Sequence, residues 1–377
     1  MITASEYAQR RNKLVNMIPD TNSIIIVYGR EPVKRIPTVP VPISQHSDLV
    51  YLSGYQKSGG ILAIEKNNSK STLFLPEPNP EIELWEGKRM KFDIAKKISG
   101  VDQVFPDTEF KKWFESRKKS VYCSYPSSQT VNGNYNKLAM YIDQLRVIKS
   151  SSELELMRKA STITLSSMSK VERKIKNGVP ESLIASYFHH YCIKQGADQL
   201  AYPIVAASGQ NALCLHYIEN SSRLKSGESL LLDAGCEFDG YASDFTRTFP
   251  IGTVTEVHKC ILELVEKVKN NLSAMAKRGS FSNLLHLHEN SELQLKKGLK
   301  ELGYTFSNQD FRKIYPHGVS HWIGLDVHDT DTIPLSHRLT KGMAFTIEPG
   351  LYFDPHINSV PMELRGIGCR FEDTVII

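Results

Sequence analysis

The stretch LLLDAGCEFDGYASDFTRTF, residues 230–249, carries two aspartates, Asp233 and Asp244, on either side of Asp239-Gly240. Asp-Gly between two apolar runs predicts a β-hairpin, because both turn positions need positive φ. With a two-residue turn Phe238 pairs with Tyr241, and counting back sets Gly235 opposite Asp244. Side chains alternate along a strand, so Asp233 shares a face with Gly235 and becomes a diagonal neighbour of Asp244, about 7 Å away. Two carboxylates aimed at one region among leucine and phenylalanine repel each other unless something positive sits between them. A metal ion is one solution; two aspartates facing water is the other, and the hairpin alone leaves both open.

The last part of the chain adds donors. Glu348 ends the apolar strand AFTIE, just before Pro349-Gly350, and Glu372 follows Arg370 on the final strand, on the same face by alternation. A carboxylate in such apolar surroundings needs a partner. Between them and the hairpin lies PHGVSHWIGLDVHD, with His317, His321 and His328 interspersed with Asp326 and Asp329. Three histidines so close together mark a site, since His is the commonest metal ligand and general acid–base. Four carboxylates with one imidazole suit two hard or borderline divalent ions, Mn²⁺ foremost. Oxygen-rich ligation argues against copper, and this is not a cysteine-based zinc site.

The scaffold for these residues comes in two parts. Residues 1–146 are predicted to form a smaller α/β domain. It starts with a helix and the buried strand SIIIVYG, followed by a proline-rich loop, RIPTVPVPISQ. DLVYLSGY and GGILAIEK read as strand-like, STLFLPE returns after the tip KNNSK, KRMKFDIAKKISG is helical with a Gly stop, and SVYCSYP is another strand. No constellation of His, Cys and carboxylates occurs there, so a structural or dimerising role is expected. The boundary falls near 145–149. In residues 147–377 the capping box Ser150-x-x-Glu153 opens a long helix, and a second follows Gly178-Val179-Pro180. A third carries the stripe Val257, Ile261, Leu264, Val265, Val268, Leu272 and Met275, and a fourth runs from about Ser282 to Gly303. His189, His190, His286 and His288 lie on these helices at spacings that do not converge. Helix, helix, strands thus occurs twice, a weak internal repeat whose halves each end in two carboxylates.

Composition excludes several classes. The chain has 377 residues, 41% hydrophobic and 23% charged, enough for two domains with their own cores. Its net charge of +5 is scattered, so no nucleic-acid surface is expected. The longest apolar runs have strand length, which argues against a membrane span. The opening MITASEYAQRRNKLVNMI lacks the apolar core of a secretory signal and reads as an amphipathic helix. Six dispersed cysteines without a CxxC predict buried thiols in a reducing compartment, cytoplasmic or mitochondrial.

The segments QHSDLVYLSGY, ELWEGKR, LRVIKSSSELELMRKA, LCLHYIEN, LLLDAGCEFDGYASDFTRTFP, HGVSHWIGLDVHD, TIEPGLY and RGIGCRFED occur in the order found in the aminopeptidase P group of metallopeptidases. Over nearly its whole length the chain resembles that group. The resemblance implies an α+β architecture with a pita-bread catalytic domain behind the N-terminal domain. It implies that Asp233, Asp244, His321, Glu348 and Glu372 ligate two metal ions, with Asp244 and Glu372 bridging. His216, His317 and His328 match the group's site histidines, Arg370 and Tyr202 match positions that support the ligands, and Trp85 matches a tryptophan that in some members reaches a neighbouring subunit. A homodimer acting on peptides with proline in second position is the implied state. Hydroxide bridging the two metals would attack the first carbonyl, His328 would help stabilise the oxyanion, and Glu348 would carry the proton to the leaving nitrogen. Three rivals remain: a dipeptide-only prolidase, a mitochondrial aminopeptidase that trims bulky residues without needing proline, and a metal-free binding protein of the same fold. The loop REPVKRIPTVPVPISQ departs from the group's pattern, and members usually continue beyond the last strand, so a shortened C-terminus is expected. His216 sits in the apolar, strand-like run LCLHY. Read locally it is a buried histidine satisfied by a carbonyl; the resemblance instead places it over the metals without ligating them.

Overall fold

The computed structural model describes residues 2–377 apart from 32, 37–38, 42–43, 118 and 125–134. It divides into two compact units, Met1–Arg146 and Val147–Ile377. The first is built on a five-stranded sheet in the order Gln103–Pro106, Lys70–Leu75, Ile61–Glu65, Ser23–Tyr28, Ser120–Cys123. The three middle strands pair antiparallel and the two outer ones join in parallel. Ser23–Tyr28 is buried along its entire length, which is why its sequence is a continuous apolar run without alternation.

Two expectations for this unit fail. DLVYLS is a helix, Ser47–Ser53, and not a strand. A short apolar run does not by itself separate a strand from a buried helix turn; the capping partners decide. His46 accepts from the Asp48 N–H, Gly54 turns left-handed at φ 71°, and the Arg10 and Arg11 guanidiniums donate to the terminal carbonyls of Tyr51 and Leu52 at 3.0 and 2.8 Å. The proline-rich segment is no simple loop either, since Val33–Ile36 pairs antiparallel with Val39–Val41; the remainder of that segment falls partly outside the described residues. Proline lacks the N–H of an inner ladder position, so a separate two-stranded ribbon is where such a sequence can pair.

The second unit contains the repeat as two halves, each around its own core. In the first half, helices Ser151–Glu172 and Glu181–Lys194 cover the antiparallel strands Val205–Ser208, Ser229–Asp233 and Thr246–Pro250. Ile163, Ile184, Phe188, Leu230, Leu232 and Phe245 fill the space between them. The Ser150–Glu153 capping box is fully formed. In the second half, helices Glu256–Lys277 and Leu284–Glu301 cover the pairs Ala344–Ile347 with Asp373–Ile376 and Gly350–Tyr352 with Gly368–Arg370. Val265, Leu272, Phe345, Ile347 and Phe353 belong to this second core. Among the described residues no helix is long and apolar enough to cross a membrane. None of the six cysteines forms a disulfide; four are buried, Cys260 is half-buried, and Cys214 is exposed, contrary to the expectation for it.

The aspartate hairpin forms with the counted register. Asp239 and Gly240 take φ of 51° and 80°, Phe238 pairs with Tyr241, and Asp233 pairs with Thr246. Both pairings belong to one continuous register, which sets Gly235 opposite Asp244. A Cβ on Gly235 would lie 1.8 Å from the Ser243 carbonyl oxygen, so only glycine allows the strands this close. The expected alternation through Arg370 and Glu372 is interrupted: one strand ends at Arg370 and the next starts at Asp373. In the gap the Glu372 N–H donates to the Thr246 carbonyl at 2.9 Å, so the chain changes pairing partner here, and both side chains are buried.

Candidate metal centre

Strand ends from both halves converge on one cluster. Asp244 follows the hairpin turn, and its backbone is pinned by Thr374, whose hydroxyl accepts from the Asp244 N–H and donates to its carbonyl. His321 is set by Thr346, which accepts from its N–H at 3.1 Å. The His321 Nδ1–H donates to the Trp322 carbonyl, so Nε2 is the ring nitrogen that faces the cluster. From that Nε2, Asp244 Oδ2 lies at 3.4 Å, Glu348 Oε1 at 3.7 Å and Glu372 Oε1 at 4.0 Å. Ligand atoms of Asp244, His321 and Glu372 all lie within 4.8 Å of one another. Ligands bound at about 2.0–2.2 Å to one ion are separated by up to about 4 Å, so these three are nearly in place. Thr246 donates to the other Glu372 oxygen at 2.7 Å and fixes its rotamer.

Asp233 lies one step away. Tyr202 donates to it at 2.7 Å and also contacts Asp244, so one phenol bridges the two hairpin aspartates. The second Asp233 oxygen accepts from Arg370, whose guanidinium also donates to Tyr352 at 2.7 Å. The structure therefore gathers Asp244, His321 and Glu372 as one group, joins Glu348 to it through His321, and joins Asp233 to it through Tyr202.

Electrostatics match a cation site. Burial, then repulsion from Asp244 and the other carboxylates, pushes Glu372 well above its ordinary range. Burial raises Glu348 to about 7 against the pull of His321 and Arg370, and burial raises Asp233 although Arg370 opposes it. Burial works against charge on His321, but Asp244 and Glu348 outweigh it and lift the imidazole to about 9. Buried carboxylates raised in this way, around one imidazole, form the donor set that a divalent cation relieves.

The remaining histidines divide by surroundings. His317 is held at both ring nitrogens: Nδ1–H donates to the Gly318 carbonyl at 2.8 Å, and Nε2 accepts from the Tyr352 hydroxyl at 3.0 Å. Burial and then Arg370 depress it to about 4, so it is neutral. His328 stands edge-on to His321, ring centroids 4.4 Å apart, with burial and then His321 lowering its pKa. His216 and His328 line the same cavity of about 620 Å³ as the cluster. Among the described residues neither makes a side-chain hydrogen bond. The local expectation for His216 is thus overturned: the segment after the 3₁₀ turn Gly209–Leu213 is irregular, and the imidazole is exposed to the cavity. Pro203, Leu215, Ile218, Val327 and Leu335 give the cavity an apolar wall.

Sequence reasoning missed Tyr352, Thr246, Thr346 and Thr374, which orient the donors. Only Tyr352 carried a hint, in its place just after Glu348-Pro349-Gly350. Trp85 belongs to the first unit, on the helix Pro80–Glu86, which has no buried residue; its own side chain is 86% exposed.

Comparison with known proteins gives consistent matches. Residues 155–377 match metallopeptidase family M24, and residues 7–122 match the aminopeptidase P N-terminal domain. Human Xaa-Pro aminopeptidase 3 is 32% identical over 99% of this chain and 81% of its own length. The mitochondrial intermediate cleaving peptidase 55 of Arabidopsis thaliana is 30% identical over 100% of this chain and 78% of its own. The structure of Escherichia coli aminopeptidase P with the inhibitor Pro-Leu superposes with a TM-score of 0.87 at 27% identity, covering 100% of this chain and 93% of that one.

Proposed function

This chain belongs to metallopeptidase family M24, and from that premise we propose that it removes the first residue from peptides whose second residue is proline. It is a metal-dependent aminopeptidase, a hydrolase with the α+β pita-bread fold and an aminopeptidase P N-terminal domain. The observation that carries the proline reading is the cluster Asp244–His321–Glu372 opening into a cavity walled by Pro203, Leu215, Ile218, Val327 and Leu335 and lined also by His216 and His328.

Asp233, Asp244, His321, Glu348 and Glu372 are the residues that would hold two divalent ions, with Asp244 and Glu372 shared. Four carboxylates and one imidazole favour Mn²⁺. Bound there, the ions supply Lewis-acid polarisation and lower the pKa of a bound water towards neutrality. The chain's own groups do the rest. Arg370 neutralises Asp233 and keeps it in place through a network that includes Tyr352. Glu348, beside His321 and 3.8 Å from His317, takes the proton of the attacking water and returns it to the departing nitrogen. His328 donates to the carbonyl oxygen as charge develops on it, and His216 hydrogen-bonds the substrate across the scissile bond. In an Xaa-Pro bond the departing nitrogen has no N–H, so a site needing that donor fails, whereas an apolar wall accepts the pyrrolidine ring.

Cleavage of Xaa-Pro, Xaa-Pro-Yaa and Xaa-Ala-Yaa peptides with added Mn²⁺ tests this. Fastest release of the first residue from Xaa-Pro-Yaa is expected. Equal turnover of Xaa-Ala-Yaa would favour an aminopeptidase that trims bulky residues without needing proline; cleavage of dipeptides alone would indicate a prolidase. The Arabidopsis relative's mitochondrial label supports a cytoplasmic or mitochondrial location over a secreted one.

A homodimer is the state this reading favours. Ile82, Leu84 and Trp85 are all exposed on a helix with no buried residue, and Ile82 and Trp85, three apart, share one of its faces, exposed apolar surface of the kind that partners cover. Trp85→Ala is expected to raise the dimer dissociation constant by about tenfold or more, the usual cost of removing an interface tryptophan. Sedimentation of a fully active monomer of the unmodified chain would rule the dimer out.

A further inference from the structure

Glu181 opens the helix Glu181–Lys194 and is completely buried. No cation pairs with it among the described residues. Five donors surround it instead. Oε1 accepts from the Ser208 N–H and hydroxyl, both at 2.7 Å, and from the Asn211 amide at 3.0 Å. Oε2 accepts from the Ser222 N–H at 2.8 Å and the Tyr217 hydroxyl at 3.0 Å. Burial pushes this carboxyl up, but the bonds from Ser208, Asn211 and Ser222 outweigh it and hold the group below the ordinary carboxylate range. A buried anion so well satisfied fixes the groups that satisfy it, since each lost donor leaves charge unpaired at low dielectric.

All five donors come from the segment 208–222, and His216 lies inside it. That segment has little regular structure of its own after its 3₁₀ turn, so its shape depends on external anchors. Tyr217, next to His216, is drawn inward to Glu181 and is buried, while His216 points the other way into the cavity. On the other flank the Leu215 carbonyl lies 3.5 Å from Arg370 Nη2. Asn220 closes the loop by accepting from the Ala206 N–H and donating to the Ile204 carbonyl. Among the described residues the His216 imidazole has no hydrogen-bond partner to hold it, so its aim is set by its neighbours.

We propose that Glu181 is a positioning residue for hydrolysis: its carboxylate clamps the loop 208–222 and thereby aims His216 at the scissile bond. The proposal rests on the role given to His216 above. The test is a double-mutant cycle with Glu181→Gln and Tyr217→Phe, each alone and combined with His216→Ala, assayed on an Xaa-Pro-Yaa peptide with Mn²⁺. Tyr217→Phe keeps the ring and the carboxylate and removes one clamp bond, so it carries the test if Glu181→Gln does not fold. Misaiming a catalytic group by about 1 Å costs up to about 10²-fold. Each clamp variant alone is expected to lower kcat by about 10- to 100-fold, with KM changed less than about threefold and metal content unaltered. In the His216→Ala background the same variants are expected to cost less than about twofold further. Equal losses in both backgrounds, or no loss with His216 present, would overturn the role of Glu181 while leaving that of His216 standing. Full activity of His216→Ala alone would overturn both.

Discussion

Asp244→Ala is expected to hold fewer than two divalent ions per chain and to lose peptide hydrolysis by about 10³-fold or more, the worth of several kcal/mol of metal-ion catalysis. Asp244 is 5% exposed and stands between the two groups of donors. One of its oxygens lies 3.4 Å from His321 Nε2, and the other contacts the Tyr202 phenol that also bonds Asp233. No other carboxylate among the described residues touches both sides in this way. The variant keeps a folded scaffold, because the strand register is set by backbone pairing and the Thr374 hydroxyl bonds the Asp244 main chain rather than its carboxylate. Removing one buried negative charge also eases the repulsion that raises Glu372 and Asp233. Metal loss and unfolding are therefore separable. Native mass spectrometry counts the ions while circular dichroism reports the fold, and two retained ions would defeat the assignment.

His216→Ala is expected to act in the opposite manner, keeping its full metal content and losing about 10²-fold or more in kcat, the range for a positioned acid–base or hydrogen-bonding group. The imidazole shares the cavity with the cluster but is not one of the three residues whose ligand atoms lie together. It makes no side-chain hydrogen bond among the described residues, so its removal leaves no buried group there unsatisfied and costs little stability. An interaction made mainly in the transition state lowers kcat and kcat/KM together when it is removed. Near-normal turnover would mean that His216 only lines the cavity. Loss of an ion from a folded protein would make it a ligand and displace one of the five.

The legible parts of this fold were those written in local chemistry. Asp239-Gly240 announced the hairpin, and because its turn admits one pairing, the register could be counted from sequence. Ser150 with Glu153 announced the long helix, and the stripe through Ile261, Val265 and Leu272 announced the core face of another. What local chemistry does not carry was lost. Asp-Leu-Val-Tyr-Leu-Ser looks like a strand until Arg10 and Arg11 reach its carbonyls from another helix. His216 looks like a buried strand residue because the loop around it is shaped by a carboxylate on a distant helix. Glu181 in turn reads as an ordinary acidic residue in a first helical turn, where the dipole alone would explain it. Thr246 and Thr374 are silent in sequence for the same reason: one orients the Glu372 carboxylate and the other pins the Asp244 main chain, each more than a hundred residues away along the chain.

The two separate cores of the catalytic unit bear on how the chain folds. Asp233 and Asp244 emerge from one core, and His321, Glu348 and Glu372 from the other. Thr374 reaches the Asp244 backbone across 130 residues, so the donors meet only after a long loop in this unit has closed. Helix pairs and hairpins within each half close much shorter loops and can form first. The unfolded chain holds no complete set of donors, and neither does either half alone. On the proposed ligand set, the free energy of ion binding would therefore add to the folding free energy of the joined unit, acting as a removable staple between two halves that share one chain.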